Sequence, residues 1–274
     1  MQVRGRVQRR VRLVVMILVT ALMLFPIAWI SLTAFRPASD AFTAELPSRL
    51  TLENFVLILR NEEYGRYALN SLWIAGWSTV LSLAIGGLAG YGFARQSYRG
   101  FGTLFGLVFV LRTLPPITVV IPLFFLVKFL GLYDTFSGLL LPYVALHVAF
   151  TTWILKGFFE QIPRELEEAA RIDGCSPWGA LLRVVLPVSY PGFVAAGTLV
   201  FLYDWNAFLF AVILTGTDAT KVLPLAIAQK AQEFGLQWNL MTAAAVLAMI
   251  PALIMVLAAQ RYIVRGLTLG AVKA

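Results

Sequence analysis

In a chain this oily the polar residues are where chemistry would sit, and they fall into two groups. The first is a run with fixed spacing: Glu168-Ala169-Ala170, three residues, Gly174, nine residues, then Val184-Val185-Leu186-Pro187. Acids, small residues and a glycine in that order do not build a nucleophile–base pair. They build a short capped helix, so the chemistry on offer is recognition by a partner in water. The second group is Arg112, His147 and Asp204, scattered through apolar runs, the last beside Tyr203, Trp205 and Asn206. An ionisable group at mid-bilayer costs roughly 2.5–3.5 kcal/mol on insertion scales, so each needs a partner or a polar passage.

Several chemistries are excluded at once. Cys175 is the only cysteine, so an internal disulfide or a cysteine metal cluster cannot form. His147 is the only histidine, which argues against a histidine-built zinc site, and no metal or catalytic residue is assigned. There is no G-x-x-x-x-G-K-[ST] phosphate loop, so the chain does not hold ATP in that manner.

The elements that position these residues are apolar. Of 274 residues 59% are hydrophobic and 13% charged, and mean hydropathy is +0.81. A soluble domain averages about 25% charged residues, so the main solvent is lipid. The net charge of +8 then reads as basic loops on the cytoplasmic side rather than nucleic-acid binding. A spanning helix needs about 20 apolar residues. Six stretches qualify: 13–35, 68–94, 101–127, 135–157, 187–214 and 238–260. The expected fold is an all-α polytopic membrane protein with six transmembrane helices.

The first span follows a basic segment, 1–12, that holds Arg4, Arg6, Arg9, Arg10 and Arg12. Its apolar run exceeds a signal peptide's roughly 7–15-residue core, and no A-x-A site follows, so it is expected to stay as an anchor. Placing both termini inside puts Arg95, Arg99, Lys156, Arg164, Arg171, Arg183, Arg261, Arg265 and Lys273 on the inner side with the N-terminal arginines. Arg36, Arg49, Arg60, Arg66, Lys128, Lys221 and Lys230 fall outside. That bias, about two to one, favours both ends cytoplasmic. Segment 36–67 becomes an extracytoplasmic loop, in which 51–59 could lie as a short helix. Residues 68–260 form the core with spans two to six, 158–186 a cytoplasmic loop within it, and 261–274 a cytoplasmic tail. Gly86, Gly90 and Ala94 give a small-xxx-small stripe for close helix packing. Pro115-Pro116 and Pro122 should kink span three.

Within 158–186, Pro163 suits a first helical turn and Glu165, Glu167 and Glu168 favour its dipole. Leu166, Ala169, Ala170 and Ile172 supply an apolar side. Gly174 suits the position after a C-cap, Ser176 an N-cap and Pro177 the position that follows. The expected shape is helix, turn, helix, with the second helix running into span five through Pro187 and Pro191. It could be a DNA reader, a plain connector or a docking element. Two adjacent spans argue against DNA, so no nucleic-acid partner is expected.

The spacing resembles the EAA loop of ABC importer permeases (E-A-A-x3-G-x9-I-x-L-P), with Val184 in place of Ile as the one departure. The tail from Gln260 to Lys273, Trp205-Asn206 and Leu223-Pro224-Leu225 resemble the carbohydrate-uptake branch, which includes the second membrane subunit of maltose importers. The resemblance implies a type I ABC importer (MetI-like) permease fold in the bacterial inner membrane. Residues 164–174 would form the coupling helix, with Glu168, Ala169, Ala170, Arg171, Asp173, Gly174, Leu186 and Pro187 as the coupling set. The implied partners are a second homologous permease, two ATP-binding cassette subunits, an extracytoplasmic solute-binding protein and the lipid bilayer. The chain itself would carry no cofactor, ATP and magnesium residing on the ATPase. The implied cargo is a sugar, an oligosaccharide or an amino sugar. Glycerol-3-phosphate, a glycerophosphodiester or a polyol would be alternatives, and a membrane-bound enzyme is the reading from another class.

On that reading Arg112, His147, Tyr203, Asp204, Trp205 and Asn206 are candidates to line the translocation path, since aromatic faces and hydrogen-bonding groups suit a sugar. Counted along their spans, Arg112 lies about 16 Å in, His147 about 18 Å and Asp204 about 26 Å past Pro187. The structural alternative pairs Arg112 with Asp204 or with the partner permease, and leaves His147 bonded to a backbone carbonyl.

Overall fold

Every regular element among the described residues is helical, as long apolar runs in lipid demand, because a helix satisfies its own backbone. A computed structural model describes residues 2–40, 42–43, 45–96, 100–113, 115–233 and 237–271. The side chains of 2–8, 101, 109, 111–112, 230–233 and 263–271 are excepted. In order come α1 (Gln2–Ala34), α2 (Glu53–Arg60), α3 (Glu62–Arg95), α4 (Phe101–Thr113), α5 (Pro116–Phe129) and α6 (Phe136–Glu160). There follow α7 (Arg164–Ile172), α8 (Pro177–Ala180), α9 (Leu186–Trp205), α10 (Leu209–Leu214), α11 (Leu223–Glu233) and α12 (Trp238–Ala271). Among the described residues five helices are long and apolar enough to cross a membrane: Arg9–Ala34, Glu62–Arg95, Phe136–Glu160, Pro177–Trp205 and Trp238–Tyr262.

The helix that covers expected span 68–94 starts earlier, at Glu62, and two other spans differ more. The stretch 101–127 is two helices, α4 and α5, broken beside Pro115. Proline supplies no N–H, and Pro116 at the first turn of α5 starts a new helix with a fixed φ. The stretch 187–214 begins earlier and ends earlier. Helical backbone runs unbroken from Pro177 to Trp205, and α10 follows as a separate short helix after a break at Asn206. A π turn at Leu181–Val185 absorbs Pro187, which has no N–H to give to the preceding turn; the Leu186 N–H reaches back to the Leu181 carbonyl instead. The expected short helix near 51–59 is present as α2.

The chain divides into two compact units, Met1–Gly65 with Ile227–Ile250 and Arg66–Ala226 with Pro251–Ala274. In the first, Ala34, Ile58, Ala243 and Ala244 form the core, with Phe55 and Tyr64 packed on it. Arg36 is buried there, its guanidinium donating to the carbonyls of Thr43 and of Glu45 (2.6 Å). The Asn54 amide donates to the carbonyls of Ala34 and Arg36, both at 2.8 Å, and its oxygen accepts from Asn239 at 2.8 Å.

In the second unit α3 and α6 lie nearly in backbone contact, and glycine makes this possible. A Cβ at Gly86 would fall 1.9 Å from Thr151 Oγ1, and one at Gly90 only 3.0 Å from the Lys156 nitrogen and the Thr152 carbonyl oxygen. The small-residue stripe is therefore a packing seam. Leu155, Phe159, Ile162, Leu181, Val185 and Ala196 fill the space where α6 meets α9. A second cluster, including Ile74, Val127, Leu139, Tyr143, Phe210 and Leu214, closes the other end of α6. These two cores fix the stems of the 163–187 loop.

Candidate functional site

The loop is built from local rules. Pro163 stands at the N-cap with extended backbone (φ −56°, ψ 136°), one position before the first turn, and α7 follows. At the other end Gly174 has φ +89°, the Cys175 N–H donates to the Ala170 carbonyl at 2.9 Å, and the Gly174 N–H donates to that of Arg171 at 3.1 Å. This is a Schellman cap, and its left-handed residue favours glycine. Open space surrounds Gly174, so conformation and not crowding within this chain selects it. Ser176 then caps the next helix, its Oγ accepting from the Gly179 N–H at 3.1 Å, with Pro177 at the first position.

The anchoring of α7 was not evident from the sequence. Glu167, expected only as a dipole-matched acid, points back to α3. Its Oε2 accepts from the Tyr91 hydroxyl at 2.6 Å, and its Oε1 pairs with Arg95 Nε at 2.5 Å. Arg95 also donates to the Ile162 carbonyl at 3.0 Å, and Arg164 reaches the Arg95 carbonyl at 3.4 Å. The signal that could have found this was Tyr91-x-x-x-Arg95, one helical turn apart and facing the loop, opposite an acid in an amphipathic nine-residue helix.

The expected apolar side of α7 is left largely uncovered by this chain. Only Ala170 is buried; Leu166, Ala169 and Ile172 are exposed, Ile172 to 87%. Glu168, Arg171, Asp173 and Gly174 are exposed as well, as is Pro187, whereas Leu186 is half-buried on the Phe159 core. Trp178 and Leu182, in the helix that follows, are exposed too. Beside it Tyr91, Arg95, Arg164, Glu167, Glu168 and Arg171 line most of a cleft of about 220 Å³. A stiff, capped helix pinned by one glutamate and uncovered on its remaining faces can seat in a groove on another protein.

The residues expected along a path divide into two sets. Tyr203 and Asn206 are exposed. His147, Asp204 and Trp205 are buried within the chain. His147 Nε2 lies 2.7 Å from Asp204 Oδ1, where an Nε2–H donates to the carboxylate, so Asp204 pairs with His147 and His147 does not end on a backbone carbonyl. The Tyr203 ring meets the His147 ring edge-on at 5.2 Å, and Trp205 stacks on Phe201 at 6.1 Å. The Arg112 side chain lies outside the described residues, as do residues 272 and 273 of the tail.

Residues 82–269 match the family described as binding-protein-dependent transport system inner membrane component. The trehalose transport system permease protein SugB of Mycobacterium tuberculosis is 37% identical over 259 residues, 93% of this chain and 94% of that protein. The trehalose/maltose transport system permease protein MalG of Thermococcus litoralis is 34% identical over 275 residues, covering 98% and 99%. The fold is similar to that of a chain in the crystal structure of a bacterial ABC transporter involved in the import of the acidic polysaccharide alginate. The TM-score there is 0.79 at 21% identity, over 94% of this chain and 96% of that one.

Proposed function

The chain belongs to the binding-protein-dependent transport system inner membrane components, and from that premise we propose how its parts serve import. It is a multi-pass permease subunit and not an enzyme; ATP hydrolysis falls to separate subunits. In our reading α4 and α5 together make one crossing, which gives six spans with both termini cytoplasmic. The helix α7 is the coupling helix. Glu168, Gly174 and the uncovered Ile172 seat it in a cleft of an ATP-binding cassette subunit, which carries ATP and magnesium. A second homologous permease completes the translocation path, and a solute-binding protein delivers cargo from outside. The cargo is a sugar or short oligosaccharide, in keeping with trehalose and maltose in the names of two relatives. Tyr203 and Asn206, exposed near one end of α9, are the path-facing members of the expected set.

The observation that carries this reading is the motif spacing standing as an exposed helix with a Schellman cap at Gly174 and a Glu167 anchor. A floppy loop would absorb motion; a pinned helix transmits it. Reconstitution with the ATPase and binding subunits tests it. Glu168→Ala and Gly174→Ala should assemble and hydrolyse ATP but lose uptake per ATP. Wild-type coupling in both variants would contradict the assignment.

A further inference from the structure

The import reading leaves a buried polar pair unexplained. The two helices that carry the 163–187 loop are α6, running in, and α9, running out through the π turn. Near the loop they meet by apolar packing: a Cβ at Gly192 would fall 2.5 Å from the Phe158 ring, and the Phe159 and Phe193 rings lie 6.1 Å apart. Far from the loop they meet through His147 and Asp204, bonded at 2.7 Å with side chains 1% and 0% exposed. His147 lies roughly 20 Å along α6 from Glu160, at 1.5 Å per residue.

These contacts differ in kind. Apolar packing is non-directional and lets helices slide in small steps. A buried hydrogen bond between two ionisable groups does not, because sliding strands both where neither water nor lipid can replace the lost partner. The surroundings sharpen this. His147 Nδ1, Asp204 Oδ2 and the Tyr143 hydroxyl have no hydrogen-bond partner among the described residues, so the Nε2–Oδ1 bond is the side-chain bond this pair makes. One turn along α6, Thr151 Oγ1 donates to the Ser82 carbonyl at 2.8 Å, so α3 is tied in at the neighbouring level.

We propose that His147 and Asp204 form a positioning lock that makes α6 and α9 move as one lever, carrying displacement of α7 to the middle of the membrane. The inference rests on the reading of α7 as the coupling helix. Neither residue contacts cargo in this role; they act by keeping the two stems in register. A motif confined to residues 163–187 would set the docking surface, and this distant pair would set how much of the docking motion reaches the path.

The test uses the assembled complex in proteoliposomes, with ATP hydrolysis and uptake measured together. His147→Ala and Asp204→Ala should assemble and still hydrolyse ATP on addition of loaded binding protein. Their uptake per ATP should fall about five- to tenfold, the lower range of coupling between distant sites. Asp204→Asn keeps an oxygen that accepts the Nε2–H and should restore coupling to near wild type. Wild-type uptake per ATP in the alanine variants would overturn the lock. Failure of both alanine variants to assemble would also overturn it, by making the pair a folding requirement. Glu168→Ala and Gly174→Ala run alongside. If those two stay coupled, the coupling-helix reading falls; if they uncouple while the His147 and Asp204 variants do not, only the lock falls.

Discussion

At the end of α6 that follows Asp134 the chain ties itself down, whereas at the end that runs into α7 it leaves a surface uncovered. Asp134 adopts φ +57°, and its Oδ1 accepts from the Gly216 N–H at 2.8 Å, the Thr217 N–H at 3.1 Å and the Thr220 hydroxyl. Asp218 accepts from the Tyr67 hydroxyl at 3.1 Å and pairs with Lys221 at 2.5 Å, while the Asn70 amide donates to the carbonyls of Ala219 and Lys221. Polar groups there are spent inside the chain. At the α7 end the caps and Glu167 hold the helix in shape, and Glu168, Ile172 and Trp178 are left outward. One end is built to be rigid by itself; the other is rigid but unfinished, which is what a docking element requires.

If that contrast is right, damage at the two ends should separate stability from coupling. The largest stability effect is expected from Asp134→Ala, which removes the acceptor of three donors. Hydrogen bonds to a charged group justify a loss of about 2 kcal/mol for this partly exposed site. Thermal unfolding of the purified complex should report it, with uptake per ATP unchanged; lost coupling would erase the contrast.

The same carboxyl gives a pH signature. Burial pushes it up, but the Thr220 hydroxyl and the Gly216 and Thr217 donors outweigh burial and hold it at about 2, below the ordinary 3.8. Its stabilisation is therefore complete above 3.8 and is lost as pH falls through about 2. Protection of the Gly216 and Thr217 amides from hydrogen exchange, relative to a free amide at the same pH, should persist at pH 4 and fall only toward pH 2. Fast exchange already at neutral pH would mean that the loop is not tied.

The smallest stability effect, and the opposite pattern, is expected from Glu167→Gln. It keeps an acceptor for Tyr91 and loses the part-buried ion pair with Arg95, worth about 1 kcal/mol, the upper end for pairs that keep some contact with solvent. Unfolding should barely move while uptake per ATP drops. A large loss of unfolding temperature without any loss of coupling would recast Glu167 as a purely structural strut.

What could be read from the sequence was what neighbours in the chain decide. The Gly174 cap, the Ser176 cap with Pro177, the break beside Pro115 and the glycine stripe at 86 and 90 all follow from the φ range, hydrogen-bond donor or bulk of single residues. The path candidates could not be resolved that way. His147 and Asp204 stand 57 residues apart, and only the rotation of α6 against α9 turns them toward each other and away from the surface. What covers the apolar side of α7 could not be read for a related reason. Amphipathicity marks an apolar stripe but not whether this chain or another protein covers it, and Ile172 and Leu166 are not covered here. The helix running from Pro177 through Pro187 and Pro191 was legible, but the π turn at Leu181–Val185 that carries it past Pro187 was not, since no single residue signals it.

The central claim is that another protein completes the α7 surface. A photo-crosslinking amino acid in place of Ile172, exposed to 87% in this chain, tests it in the assembled transporter. The account predicts an adduct with the ATP-binding cassette subunit, and none of comparable yield from the same probe at Thr217 on the tied end. An adduct with lipid alone, or equal yields from the two positions, would contradict it.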